Sequence, residues 1–169
     1  MNLIRIFPFL ILFSLAFCKK SDQYGALSTH DFMPPLIVRT ALADSLPPQA
    51  IKKLQLENIQ GIKVKYATGR YVCYFDYDAD RSSLLDTIAR LPFSKFTPLA
   101  DTTCRRIPIE SIELMRAMVS PEERETGNSF WHADIDEFEV YECIKAPFRH
   151  TLLIGKKTTR VIHRIEFRG

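Results

Sequence analysis

The sequence predicts an α+β domain: a single antiparallel sheet with about three helices packed on one face. Three observations predict it. A hairpin pattern lies over residues 62–77, a three-stranded meander closes the chain, and helical stripes of period 3.6 fall between them. Strands joined by short turns pair antiparallel, so the hairpin and the meander belong to one twisted sheet.

Each element has a local cause. Residues 18–45 read as a tether: polar at first, then Pro34-Pro35, which favours extended backbone. Leu36-Ile37-Val38 is a short apolar run inside it, where a first strand can begin and shorten the tether. The domain is expected over 46–169. Asp44 or Ser45 can cap a helix, Pro47-Pro48 suits its first turn, and Ile51, Leu54 and Ile59 share its buried side. Ile62, Val64 and Tyr66 then alternate with Lys63 and Lys65, a strand with one wet face. Ala67-Thr68-Gly69-Arg70 makes the turn. The return strand, Tyr71–Tyr77, is apolar on both faces, which predicts an interior position. Asp80 caps Arg81–Leu91, where Leu84, Leu85, Ile88 and Leu91 form a stripe that Pro92 ends.

Residues 93–109 are broken by Pro98 and Pro108, with a short edge strand expected near Thr103–Ile107. Glu110–Val119 carries a second stripe (Ile112, Met115, Met118, Val119). Ser120-Pro121 caps a further turn that Gly127-Asn128 breaks. The meander runs through 137–145, 150–154 and 159–168, with turns at Ala146-Pro147 and 155–158. In its last strand Val161, His163, Ile165 and Phe167 alternate with Arg160, Arg164, Glu166 and Arg168.

A net charge of +3, with no block of basic residues, argues against a nucleic-acid partner. About 150 residues behind the first eighteen suffice for one domain with its own core.

The chain starts with Arg5 and an apolar run, Ile6–Phe17, interrupted by Pro8 and Ser14. A short positive segment followed by an apolar core of this length marks an export signal, and the run is short for a membrane span. Leu15-Ala16-Phe17-Cys18 resembles the lipobox of bacterial lipoprotein signals, with Phe17 where a small residue is usual. Cys18-Lys19-Lys20-Ser21-Asp22 also resembles the start of many such lipoproteins. The resemblance covers about 20 residues and implies a leader over 1–17, removed before Cys18, whose thiol carries lipid. It implies a protein of the bacterial cell envelope, anchored on the periplasmic face or the cell surface.

Cys73, Cys104 and Cys143 remain. One disulfide among them is possible, with all three pairings open, and buried free thiols are the alternative; their spacings match no zinc motif. His132, Asp134 and Asp136 sit two apart, and on an extended segment they would share a face able to ligate a divalent ion or form an acid/base set. A surface connection with Asp capping a turn is the plainer account. His163 lies on the apolar face of the last strand and His150 opens its neighbour. With Cys143 or Cys73 they would make a soft metal site or a Cys–His pair; a hydrogen-bonded core histidine is the commoner fate. Arg160, Arg164 and Arg168, with Lys156 and Lys157, make a basic stripe on an outer face, either solvated or meeting anionic lipid, polysaccharide or an acidic partner. No P-loop, dinucleotide fingerprint, nucleophile elbow or zinc-protease helix is present, and no cofactor is expected. The expectation is a membrane-anchored envelope lipoprotein with a non-catalytic binding or scaffolding domain, its partner an envelope protein or polysaccharide. The alternative is an envelope enzyme or metal-binding protein using His132, Asp134 and Asp136, or His150 and His163 with a cysteine.

Overall fold

The computed structural model describes residues 33–90, 104–126 and 129–168. The leader, Cys18, the break at Gly127-Asn128 and most of the proline-punctuated stretch lie outside them. The described strands are β1 (Leu36–Ala41), β2 (Gln60–Lys65), β3 (Tyr71–Asp78), β4 (Cys104–Arg106), β5 (Phe138–Lys145), β6 (Phe148–Gly155) and β7 (Arg160–Phe167). They form one seven-stranded sheet in the order β1-β2-β3-β7-β6-β5-β4. Every neighbouring pair is antiparallel. The α+β class, the hairpin (β2–β3), the meander (β5–β7) and the edge strand (β4) are as expected.

β1 lies inside the stretch expected as a tether, so the folded unit starts near Met33 rather than Leu46. Asp44 does cap, but it caps a 3₁₀ turn at Leu42–Asp44 by accepting from Ala41 N–H. Pro47-Pro48 then opens α1 (Pro48–Leu54). Gly69 takes φ 85° in the β2–β3 turn, a conformation side chains resist. Asp80 accepts from Ser83 N–H at 2.8 Å and starts α2 (Arg81–Arg90). α3 spans Glu110–Met118; Ser120 accepts from Glu123 N–H and starts the single turn α4 (Pro121–Arg124). α5 is another single turn, Ser129–His132. Among the described residues no helix is long and apolar enough to cross a membrane.

One expectation is corrected. The helices do not share a face; they cover both. Cys73, Phe75 and Tyr77 of β3 point into a core closed by Ala50 and Ile51 of α1 and Leu84 and Ile88 of α2. Val72 and Tyr74 point the other way, into a core closed by Ile112 of α3 and Phe130 and Trp131 of α5. The cause is the sheet itself: β3 is apolar in both phases and β6 and β7 are buried on both faces, so each face needs its own cover. Two single-turn helices also add to the three longer ones.

Candidate functional site

The face under α3 and α5 is not uniformly apolar. Register places Glu142, Thr151, Arg164 and Tyr74 opposite one another on four consecutive strands. The next row sets Arg149 of β6 against Glu166 of β7. These side chains leave water: Arg164 is 3% exposed and Glu166 2%. Burying such charges is tolerable only when each is paired and hydrogen-bonded. Arg164 Nη1 donates to Glu166 Oε2 at 2.9 Å, and Arg168 Nε donates to Glu166 Oε1 at 2.8 Å. Arg70 adds a third cation at 3.2 Å. Glu142 is treated alike, accepting from Arg105 Nη2 at 2.9 Å and Arg149 Nε at 2.8 Å. Burial pushes both carboxyls up, but their arginine partners outweigh it: Glu142 is held below the usual range and Glu166 is brought down to about 2.

Against this floor lies a cleft of about 410 Å³. Its sheet side is Arg70, Arg149, Arg164, Glu166 and Arg168; its helix side is Leu114, Met115 and Met118 of α3, then Val119, with Trp131 of α5 beside them. Arg116 ties the two helices together, donating to Phe130 O at 2.8 Å and Ala133 O at 3.0 Å. Four guanidiniums thus face one carboxylate in the lining, a net cationic cleft. Trp131 Nε1–H and Arg70 Nε–H are buried donors with no protein acceptor among the described residues.

Beside the cleft sits a third carboxylate, Glu123 of α4, fully buried. It accepts from the Tyr66 and Tyr74 hydroxyls, and Arg164 Nε donates to Tyr74 Oη at 3.3 Å. Burial pushes the Tyr74 phenol up to about 12, so it stays a donor at neutral pH. Burial also raises the Glu123 carboxyl to about 7, Arg164 pulling it part of the way back and Glu166 pushing it further. A raised folded-state value means stability that is full below the ordinary carboxyl range and is lost as pH rises through 7. Glu123→Gln should remove this dependence. The unfolding free energy of the wild type, from urea melts, should fall between pH 5 and 8 relative to the variant, by up to about 3 kcal/mol. Parallel curves would refute the assignment.

The sequence-predicted candidates are distributed differently. His132 ends α5, exposed, and Asp134 caps a 3₁₀ turn at Ile135–Glu137 by accepting from Asp136 N–H at 3.2 Å. The segment is therefore helix and turn, not the extended chain on which the three would share a face. Among the described residues no group of three or more His, Cys, Asp or Glu is placed to hold a metal. His150 and His163 do meet, Nδ1 to Nε2 at 2.9 Å, and His163 Nδ1 bonds Tyr77 Oη at 2.9 Å. Both rings are fully buried, which takes His150 down to about 3 and His163 well below its usual value, so both are neutral. Cys143 stands opposite His150 on β5 but offers no free thiol. Cys143 is bonded to Cys104, the residue opposite it on β4, and Cys73 is a buried thiol that accepts from Ser45 Oγ at 3.7 Å.

The basic stripe is corrected at Arg164, which lies on the face closed by α3 and α5 and is buried; Arg160, Arg168, Lys156 and Lys157 are exposed. Arg160 pairs with Asp76 at 2.7 Å and Lys156 donates to Asp136 O at 2.7 Å, both away from the cleft lining. Arg70, Arg149, Tyr74 and Glu123 were not singled out as site residues from the sequence. The signal available was the set of opposite charges that the meander's short turns bring into register, Glu142 and Glu166 with Arg149. Compared with known proteins, the chain matches no protein-family model, no curated protein and no solved structure.

Proposed function

We propose that the chain is a lipid-anchored protein of the bacterial cell envelope whose domain is a non-catalytic binding module for a small anionic ligand. The observation that carries the binding half is the cleft, where four guanidiniums converge against one carboxylate. Its chemistry favours holding over turnover. Glu166 is kept at about 2 by its arginine partners in spite of burial, a poor proton acceptor near neutral pH. Ser111 is the hydroxyl residue in the lining, and neither histidine nor cysteine joins it there.

The anchoring half rests on Leu15-Ala16-Phe17-Cys18 behind its apolar run. The Cys104–Cys143 disulfide supports export, because such bonds persist in oxidising compartments. Two or three acyl chains on Cys18 would give stable anchoring, at about 0.8 kcal/mol per buried methylene. Labelled palmitate should enter the full chain in a bacterial host and not its Cys18→Ala variant. An intact Met1, or an unmodified sulfur at Cys18, in protein taken from membranes would defeat the anchoring half. Binding is tested separately, by retention of anionic probes.

A further inference from the structure

The two walls of the cleft differ in chemistry, and the difference specifies more than charge. The sheet wall offers guanidiniums of which Arg164 is buried, donating to Glu166 and Tyr74. Arg70, Arg149 and Arg168 are the partly exposed ones, with side chains 42%, 27% and 60% exposed, and the last two stand nearest the ion-paired carboxylates of the floor. The helix wall is apolar, and it continues outward: Leu114 is 63% exposed and Met118 79%, two of the few large apolar side chains the described domain leaves in water. Such exposure beside a cleft marks a surface that gains by being covered. Methionines suit a chain of variable shape, since they repack cheaply. The volume, about 410 Å³, is near the lower end of small-ligand sites and too small for a lipid with two chains. Trp131 closes the lining with an indole N–H that has no acceptor among the described residues.

We infer that the cleft takes a single-chain amphiphile whose anionic head, a carboxylate or a phosphate monoester, sits on Arg149 and Arg168 while its alkyl chain lies along Leu114, Met115 and Met118. This rests on the cleft being the ligand site proposed above. A bare anion would leave the apolar wall uncovered. An uncharged amphiphile would leave the guanidinium excess unmatched.

Trp131 is the chain's one tryptophan, so its emission reports on the cleft wall without a label. The full chain in non-ionic detergent is titrated with laurate, dodecyl phosphate, dodecanol and inorganic phosphate. Emission is followed, with retention of radiolabelled ligand in parallel. Laurate and dodecyl phosphate should each bind about tenfold more tightly than dodecanol, which partitions into the same micelles. The tighter of the two identifies the head group. Arg168→Gln should weaken both anions about fivefold. Met118→Gln, which removes the apolar contact without adding charge, should weaken laurate by about the same factor and leave inorganic phosphate unmoved. Both substituted side chains are largely exposed, so the fold is not at stake. Equal binding of laurate and dodecanol would overturn the inference. So would inorganic phosphate binding as tightly as dodecyl phosphate, which would leave the cleft an anion site without a tail. Retention of none of the four would overturn the anionic-ligand reading as well.

Discussion

Arg164→Met is expected to cost about 3–5 kcal/mol of folding free energy, the range for breaking a buried ion pair from one side. The guanidinium is 3% exposed and stands between Glu166, Tyr74 and the neighbourhood of Glu123. Methionine fills similar space but leaves two buried carboxyls without their central cation. Arg168 and Arg70 still reach Glu166 from the solvent side, which holds the loss within that range. The pH dependence gives the assignment its sign. Burial raises Glu166, but arginine contacts hold it down to about 2, so its pairing stabilises the fold above the ordinary carboxyl range and is lost as pH falls through that range toward 2. Removing Arg164 weakens this pairing, so the deficit should be widest near pH 7 and narrow below pH 4. Glu166→Gln in the same chain should recover part of it, since one of the two carboxyls that lost the cation is then neutral. Arg168→Gln, at a side chain 60% exposed, should cost under about 1 kcal/mol. Urea melts at the two pH values check all three variants. A uniform loss at both would mean that packing, not charge, was removed.

The same residue shows where a sequence stops being legible. The hairpin, α2 and the meander were readable because their causes are local: alternation at Ile62, Val64 and Tyr66, a cap at Asp80, short turns between apolar strands. Arg164 and Glu166 occupy polar positions in an alternating strand, and alternation alone cannot tell a polar position in water from one under a helix. That depends on what lies across the sheet, here Tyr74 and Thr151, and on α3, some fifty residues earlier in the chain. The burial of both faces had one local sign, the apolar character of β3 in both phases. It implied cover on two sides, and the stretch 110–132 had to supply the second. The cleft draws on five separate stretches of chain, so no window of sequence contains it. His132, Asp134 and Asp136 illustrate the converse. Their spacing suits a strand, but Asp134 bonds the backbone two residues on and turns the chain instead.

Replacing Cys104 and Cys143 together by alanine should cost about 2–4 kcal/mol, with a local consequence the other substitution lacks. The bond closes a separation of 39 residues, long enough for its loss to free much of the unfolded chain. Its native-state role is narrower. β4 pairs with β5 at three positions, Cys104 with Cys143, Arg105 with Glu142 and Arg106 with Tyr141. An edge strand this short has little to hold it once the covalent link is gone. Amide exchange in β4 should therefore accelerate toward the rate of an open chain, while β3 and β7, at the centre of the sheet, keep their protection. Glu142 would then lose Arg105 and keep Arg149, drawing that guanidinium more firmly to itself and away from an incoming anion. The expected result is weaker retention of laurate in the double variant although neither cysteine lines the cleft. Unchanged β4 protection in the double variant would show that the three-residue ladder holds by itself. The coupling between the disulfide and the cleft would then have no physical carrier.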